Sequence, residues 1–488
     1  MNANERPRLL QAVAIVDHGT LALDPVVRGD GVAGIEPGID VARAPAHRGG
    51  GLYPNKPPGA SLVAALAYAL QRAGCALVGA TPTLAGLTWL ARLLGATLPT
   101  VLLAWSLARR SGDDAFARAA AAITIVATPL VAYAHVLFGH SLAALLLWLG
   151  VVRLHDALGR DDDVRGAAIA GALAASAVLV EYGAVIAALP IAWIVVVGFR
   201  AGRRRAALAA VVGALGPMAL LAAYHATVFG SPWSTGYHHV VDRGFAEIHG
   251  RGLLGLHWPE LGDVLEDLFS PWGGLLYFAP LVVAAPLAWR AGAGWDQRGR
   301  RLQLLVLLAF VLLTLGLEQG GGWRVGPRYL VAALPMMAPA LAWLLRERVR
   351  SEGALALVLG VTAFAVVVDG LAASLFPQLV PGGNPLRDQL VPLLLAGRVP
   401  YGPVPAWLGG TAIWAVIAGL AAVALPIAQT IAPARRVAVF GGALVIAAVA
   451  LTVAWVLPSA EDAEQTRSGI ASIWEPGGER APRSVPLR

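Results

Sequence analysis

Apolar residues in this chain come in long runs rather than in short amphipathic repeats. Stretches of the length that crosses a hydrocarbon core of about 30 Å as a helix fall at 82–108, 115–135, 140–156, 166–182, 183–199, 206–229, 274–290, 302–318, 329–345, 354–376, 406–428 and 437–457. This pattern predicts an all-α, polytopic integral membrane protein with about 12 transmembrane helices. Residues 60–74 are also apolar, but a helix of that length reaches only about 22 Å, so an interfacial or half-buried helix is predicted there.

The segments between the runs alternate in character. One set is short and rich in arginine: Arg109-Arg110, Arg153 to Arg165, Arg200 to Arg205, Arg290 to Arg301, Arg346 to Arg350 and Arg435-Arg436. The other set, 230–273, 319–328 and 377–405, is longer and carries Gly, Pro and aromatic residues. Basic residues concentrate on cytoplasmic loops, so the arginine set is expected inside and the other set outside. Parity then places 1–81 outside as a first extracytoplasmic loop, 82–457 as the transmembrane domain, and 458–488 as an outer tail. The tail is polar and without periodicity, and is predicted to be disordered. Met1 to Leu10 is polar and no signal peptide is present. An exported first segment therefore predicts a further helix upstream, which would make thirteen spans.

Composition agrees with this reading. The chain has 488 residues, 57% hydrophobic and 14% charged, with a mean hydropathy of +0.66; soluble domains carry roughly 25% charged residues. The net charge of +7 follows from the basic inner loops. No basic face interleaved with aromatic residues points to nucleic acid, and no P-loop or dinucleotide fingerprint is present. Cys75 is the single cysteine, so no internal disulfide forms.

Lys56 is the only lysine; the other 36 basic residues are arginines. It lies in Tyr53-Pro54-Asn55-Lys56-Pro57-Pro58-Gly59, where prolines stiffen the backbone on both sides. A lysine is a compact point charge that approaches a phosphate oxygen closely. Its position before an apolar helix predicts a cation held at headgroup depth, or else a lysine snorkelling to the interface.

The first segment resembles the first outer loop of the GT-C glycosyltransferases, in particular the group of protein O-mannosyltransferases and the lipid A aminoarabinose transferase. The resemblance rests on the order Asn4-Glu5-Arg6-Pro7-Arg8, then Val16 through Pro25, then Tyr53 to Gly59. It implies a GT-C fold lacking its first helix and a sugar transferred from a polyprenyl phosphate donor in the lipid bilayer. The acceptor would be a lipid, glycan or protein on the outer face of the membrane. In the family an acidic pair carries the catalytic aspartate at its first position, where this chain has Asn4. Glu5 therefore becomes the candidate base, with Asp24 and Asp17 behind it. No cofactor is implied, and a divalent metal is allowed but not required. A lipid or anion transporter, or an inactive family member, stays open as an alternative.

Two further segments resemble a bacterial branch of the same family: His225 to Tyr237 with Phe269 to Leu276, and Gly320-Gly321-Gly322-Trp323-Arg324-Val325-Gly326-Pro327-Arg328-Tyr329-Leu330. Arg324 and Arg328, four apart, are expected to share a helix face and to complete a phosphate clamp with Lys56. Tyr53, His140, Glu181 and Tyr329 are candidate substrate-binding residues at the same level. An acid near membrane depth, such as Glu181, is costly unless used or paired. His238, His239, Asp242 and His249 match no metal-ligand spacing.

Overall fold

The structure, a computed structural model, describes residues 2–28, 37–112, 114–159, 163–250, 252, 255–317, 322–396 and 411–460, with 464, 466 and 468 beyond them. It opens with α1 (Glu5–His18) and the short α2 (Asp24–Arg28). A two-stranded antiparallel hairpin follows, β1 (Val41–Arg43) with β2 (Leu52–Pro54), in the register Val41 to Pro54. Then come α3 (Gly59–Leu77), α4 (Leu84–Arg92), α5 (Leu98–Arg110), α6 (Ala115–Val126), α7 (Leu130–Tyr133), α8 (His140–Gly159), α9 (Val164–Val180), α10 (Ala188–Arg200) and α11 (Arg204–Phe229). The second half holds α12 (Arg243–Gly250), α13 (Leu261–Phe269), α14 (Leu275–Phe278), α15 (Gly294–Leu315), α16 (Ala338–Glu347), α17 (Glu352–Leu375), α18 (Val391–Leu395), α19 (Thr411–Ala428) and α20 (Pro433–Val456).

Among the described residues, seven helices are long and apolar enough to cross a membrane: Gly59–Leu77, Leu84–Arg110, His140–Gly159, Tyr182–Arg200, Arg204–Phe229, Glu352–Leu375 and Pro433–Val456. Shorter apolar helices cover 115–126, 164–180 and 413–428. The predicted run 115–135 is split because Pro129 cannot continue the helix ending at Val126. The run 274–290 is built largely of 3₁₀ turns and the run 329–345 opens with them before α16, with Pro280, Pro286 and Pro335 breaking the ladder. The length argument for 60–74 lapses: α3 has 19 residues, reaching about 28 Å.

Small residues let the helices touch backbone to backbone, the usual packing device where lipid removes the hydrophobic drive between helices. A Cβ on Gly171 of α9 would lie 1.8 Å from the Ala210 carbonyl oxygen of α11, and one on Gly213 would lie 2.0 Å from that of Ala168. The buried core between the helices is correspondingly rich in alanine.

The two loop sets separate to opposite ends of the bundle. At one end Arg110 pairs with Asp156, Arg153 with Asp163, Arg346 with Asp114 and Arg435 with Glu352. At the other end meet the first segment, the turns at 134–140 and 181, and the segments around 236, 273, 325 and 380. The tail begins ordered, since Ser459 hydrogen-bonds Asp388 and Asn384, and the Ala460 N–H donates to the Gly382 carbonyl. Most of the predicted disordered tail, and 397–405 of the loop 377–405, lie outside the described residues.

Candidate functional site

The hairpin decides what surrounds Lys56. Its register continues one step, so the Asn55 N–H donates to the Asp40 carbonyl at 3.1 Å and Asn55 Nδ2 donates to Asp40 Oδ1 at 3.3 Å. Asn4 Nδ2 reaches the other carboxylate oxygen of Asp40 at 3.3 Å. Lys56 Nζ stands 3.9 Å from Asp40 Oδ1 and 3.1 Å from the Tyr237 hydroxyl. Gly236 permits this contact. A Cβ there would be 2.6 Å from the Asn55 carbonyl oxygen.

Three cations and two carboxylates share this buried space. Arg8, fully buried, donates from Nη1 to Asn4 Oδ1 and, at 2.9 Å, to the Leu137 carbonyl. Its Nε and Nη2 are buried without a hydrogen-bond partner among the described residues. Burial, the largest influence on it, pushes the Arg8 guanidinium below its usual range, while the charges of Glu181 and Asp40 pull the other way. For Asp40, burial opposes ionisation, yet Lys56, then Arg328, outweigh it and hold the carboxyl below the ordinary range. Arg328 is buried and donates to the Tyr329 hydroxyl at 3.2 Å. Its guanidinium stands over the rings of Phe138 and Tyr329. His140 opens α8 and packs against Tyr133, Phe138 and Tyr329. Its Nδ1 lies 3.5 Å from Glu181 Oε2. Lys56, Arg328, His140, Glu181 and Tyr329 are therefore brought together.

Other expected residues are placed differently. Glu5 is buried and fully engaged: Arg92 donates to both its oxygens at 2.7 Å, the Leu137 N–H to Oε1 at 2.8 Å, and the Asn2 N–H and amide to Oε2. Burial alone would raise its pKa, but Arg92 prevails and holds it at about 2. A carboxylate so fully engaged ties α1 and α4 to the turn before α8, and that is where the structure places the base expected from the acidic motif. Asp24 accepts the Leu52 N–H at 2.7 Å and fixes β2. Tyr53 packs edge-on against Phe229. Asp17 bonds Tyr68 and Arg72 on α3. Arg324 and Arg328 share no helix face, because a turn at Gly326 (φ 58°) separates them and helical structure begins only at Arg328. Arg324 lies 3.8 Å from Asp267 Oδ1 of α13. Gly320 and Gly321 lie outside the described residues.

Sequence reading missed Asp40, Arg8, Asn55 and Tyr237. The one available signal for Asp40 was a pairing of the segments 41–43 and 52–54, which sets it beside Asn55. Among the described residues no group of three or more His, Cys, Asp or Glu could hold a metal. His239 instead bonds Ser234 and stacks on Phe229, and His249 stacks on Tyr237.

Fold and site together define a multi-pass, predominantly helical membrane protein with a buried cationic site at one end of its bundle. No protein-family model and no curated protein matches the chain. Among solved structures it is similar to ArnT from Cupriavidus metallidurans bound to undecaprenyl phosphate, at 16% identity and TM-score 0.49, over 96% of this chain and 74% of that one. The apo state of the same protein gives 15% identity and TM-score 0.47, over 91% and 72%. The arabinosyltransferase EmbB from Mycobacterium smegmatis gives 14% identity and TM-score 0.45, over 97% of this chain and 39% of that one.

Proposed function

We propose that this protein is a GT-C-type glycosyltransferase that takes a sugar from a polyprenyl phosphate and passes it to an acceptor at the outer face of the cytoplasmic membrane. The observation that carries the reading is the convergence of Lys56, Arg8 and Arg328 with the carboxylates Asp40 and Glu181 at the loop end of the bundle. Buried cations without enough protein anions to neutralise them suit an anionic ligand. The reading also draws on the motif order of the first segment.

In this reading Lys56, Arg8 and Arg328 bind the phosphate of the donor. They stabilise the charge that grows on it as the glycosidic carbon–oxygen bond breaks and the phosphate leaves with the electron pair. Asp40, ionised and held by the amides of Asn4 and Asn55, accepts the proton of the acceptor hydroxyl or amine as that atom attacks the anomeric carbon. Glu181 orients His140 beside it.

A transporter reading has one observation in its favour. Asp369, fully buried in α17, has no hydrogen-bond partner on either oxygen among the described residues, and intramembrane acids commonly mark transport paths. The test incubates membranes carrying the protein with labelled polyprenyl phosphate sugars, alongside Lys56→Ala and Asp40→Asn. Transfer lost in both variants supports the enzyme. Transfer untouched by both defeats the site, and no transfer from any donor, with lipid crossing vesicles in an Asp369-dependent way, supports the transporter.

A further inference from the structure

Helix α13 stands apart from the buried bundle: none of its residues is fully buried. At about 100° per residue its side chains sort into three strips. Leu261, Leu265 and Phe269 form one, all exposed. Asp263 and Glu266 form a second, also exposed, while Val264, Asp267 and Leu268 form a half-buried third that faces the protein. An exposed polar strip beside an exposed apolar strip on a short helix is the pattern of an element lying in a membrane interface.

The surroundings say which occupant covers the apolar strip. Trp258, just before the helix, is 90% exposed, and tryptophan gathers at the headgroup level. The His257 N–H donates to the Gly316 carbonyl at 2.9 Å, which ties this segment to the end of α15. α13 packs against α15, and α15 shows exposed Leu308 and Leu312. The apolar strip of α13 thus continues the lipid-facing side of a predicted span at the depth where that span ends. The protein-facing strip carries Asp267, whose carboxylate lies 3.8 Å from Arg324. Gly273, following the helix, leaves room for that guanidinium, since a Cβ there would be 2.8 Å from Nη2. Arg324 in turn acts on Arg328, Tyr133 and Tyr329 of the buried site.

We infer that α13 is seated in the outer lipid interface and that its Asp267 is a built-in counter-ion of Arg324, which the anionic headgroup of the donor displaces on entering. The inference rests on the phosphate reading above. It adds the route, past α13 from the lipid side, and a competitor for the anion. The groups facing Asp267 are Arg324 from the 322–328 turn, Glu266 and Asp263 from its own helix, and His257 from the preceding segment. Burial, the largest influence, lifts its carboxyl to about 6 against the pull of Arg324. The proton that removes the charge of Asp267 from beside Arg324 is therefore gained only slightly below neutrality.

Two measurements in lipid nanodiscs decide the matter. A nitroxide on Leu265→Cys, in a Cys75→Ser background, is expected to be reached by oxygen in preference to a water-soluble nickel chelate. Water exposure equal to that of a label on Asp263→Cys overturns the seating. The affinity of a long-chain polyprenyl phosphate is expected to rise several-fold in Asp267→Asn. In the unsubstituted protein it should strengthen as pH falls through about 6, more than in Asp267→Asn. The lipid phosphate titrates in the same range, so the difference between the two curves is the readout. Equal affinity and parallel curves overturn the counter-ion. Loss of binding in Lys56→Ala with no effect of Asp267→Asn sinks this inference alone. No binding by the unsubstituted protein sinks the phosphate reading and the counter-ion together, while the nitroxide still decides the seating.

Discussion

Lys56 Nζ and the Tyr237 hydroxyl, 181 positions apart in sequence, meet at 3.1 Å, with the ammonium also 4.6 Å from the centroid of the same ring. One aromatic side chain thus holds the only lysine of the chain from its hydroxyl end, while Asp40 stands on the other side at 3.9 Å. The space between a phenol and a carboxylate is sized for a compact ammonium. The wider, planar guanidinium of arginine would have to displace one of them.

Replacing Lys56 by alanine is therefore expected to weaken polyprenyl phosphate binding by about 10- to 100-fold, the equivalent of the 1.5–3 kcal/mol of a hydrogen bond to a charged group. Lys56→Arg should recover little of the loss. Titration of the lipid into purified protein measures both. An arginine variant that binds normally would remove the size argument.

Glu5→Gln should act on stability first. Removing one member of a buried ion pair costs about 3–5 kcal/mol, because Arg92 keeps its charge and loses its bidentate partner. The Glu5 carboxyl is held at about 2, below its ordinary 4.5. Its contribution is thus complete above about pH 4.5 and is lost as pH falls through about 2. Acid unfolding followed by tryptophan fluorescence should show that component in the unsubstituted protein and not in Glu5→Gln. A variant with unchanged stability and abolished turnover would return Glu5 to the role of base.

Asp40→Asn separates chemistry from binding. The amide preserves shape and removes the proton acceptor, and general-base catalysis is worth about 10²–10⁴ in rate. Turnover should fall by that order while donor affinity holds or rises, since a negative charge beside Lys56 is gone. If Glu181→Gln shows the larger fall in turnover, the base is Glu181.

Gly236→Ala tests the hairpin contact. The added Cβ would stand 2.6 Å from the Asn55 backbone oxygen, so the 236–239 turn must move and carry Tyr237 off Lys56. Activity should drop several-fold with little change in melting temperature. Gly216→Ala, with nothing within 4 Å of the added carbon, should be silent or slightly stabilising.

Membrane segments were legible because lipid imposes one local requirement, a helix of sufficient apolar length that satisfies its own backbone. That requirement can be read at Leu84–Arg110, Arg204–Phe229 or Glu352–Leu375 without knowing any neighbour. The alternation of arginine-rich and glycine-rich connections likewise predicted which segments would gather at each end. Lys56 and Arg328 stood out for their company, one lysine among prolines and one arginine after a glycine-rich turn.

The roles of the acids depended on distance instead. Glu5 and Asp40 are both acids in the same polar first segment, and nothing local distinguishes them. Their fates diverge because α4 brings Arg92 to Glu5, while β1 and β2 set Asp40 against Asn55 and Lys56. A carboxylate becomes an anchor or a candidate base according to the cations and N–H groups that reach it, and for Glu5 the Leu137 N–H arrives from 132 residues away. By itself the sequence determined the polytopic helical class and most of the long helices in their order, since these follow from hydrophobic length along the chain. Only the tertiary structure decided which carboxylate shares the cationic site, because that depends on long-range contacts that leave no periodic trace.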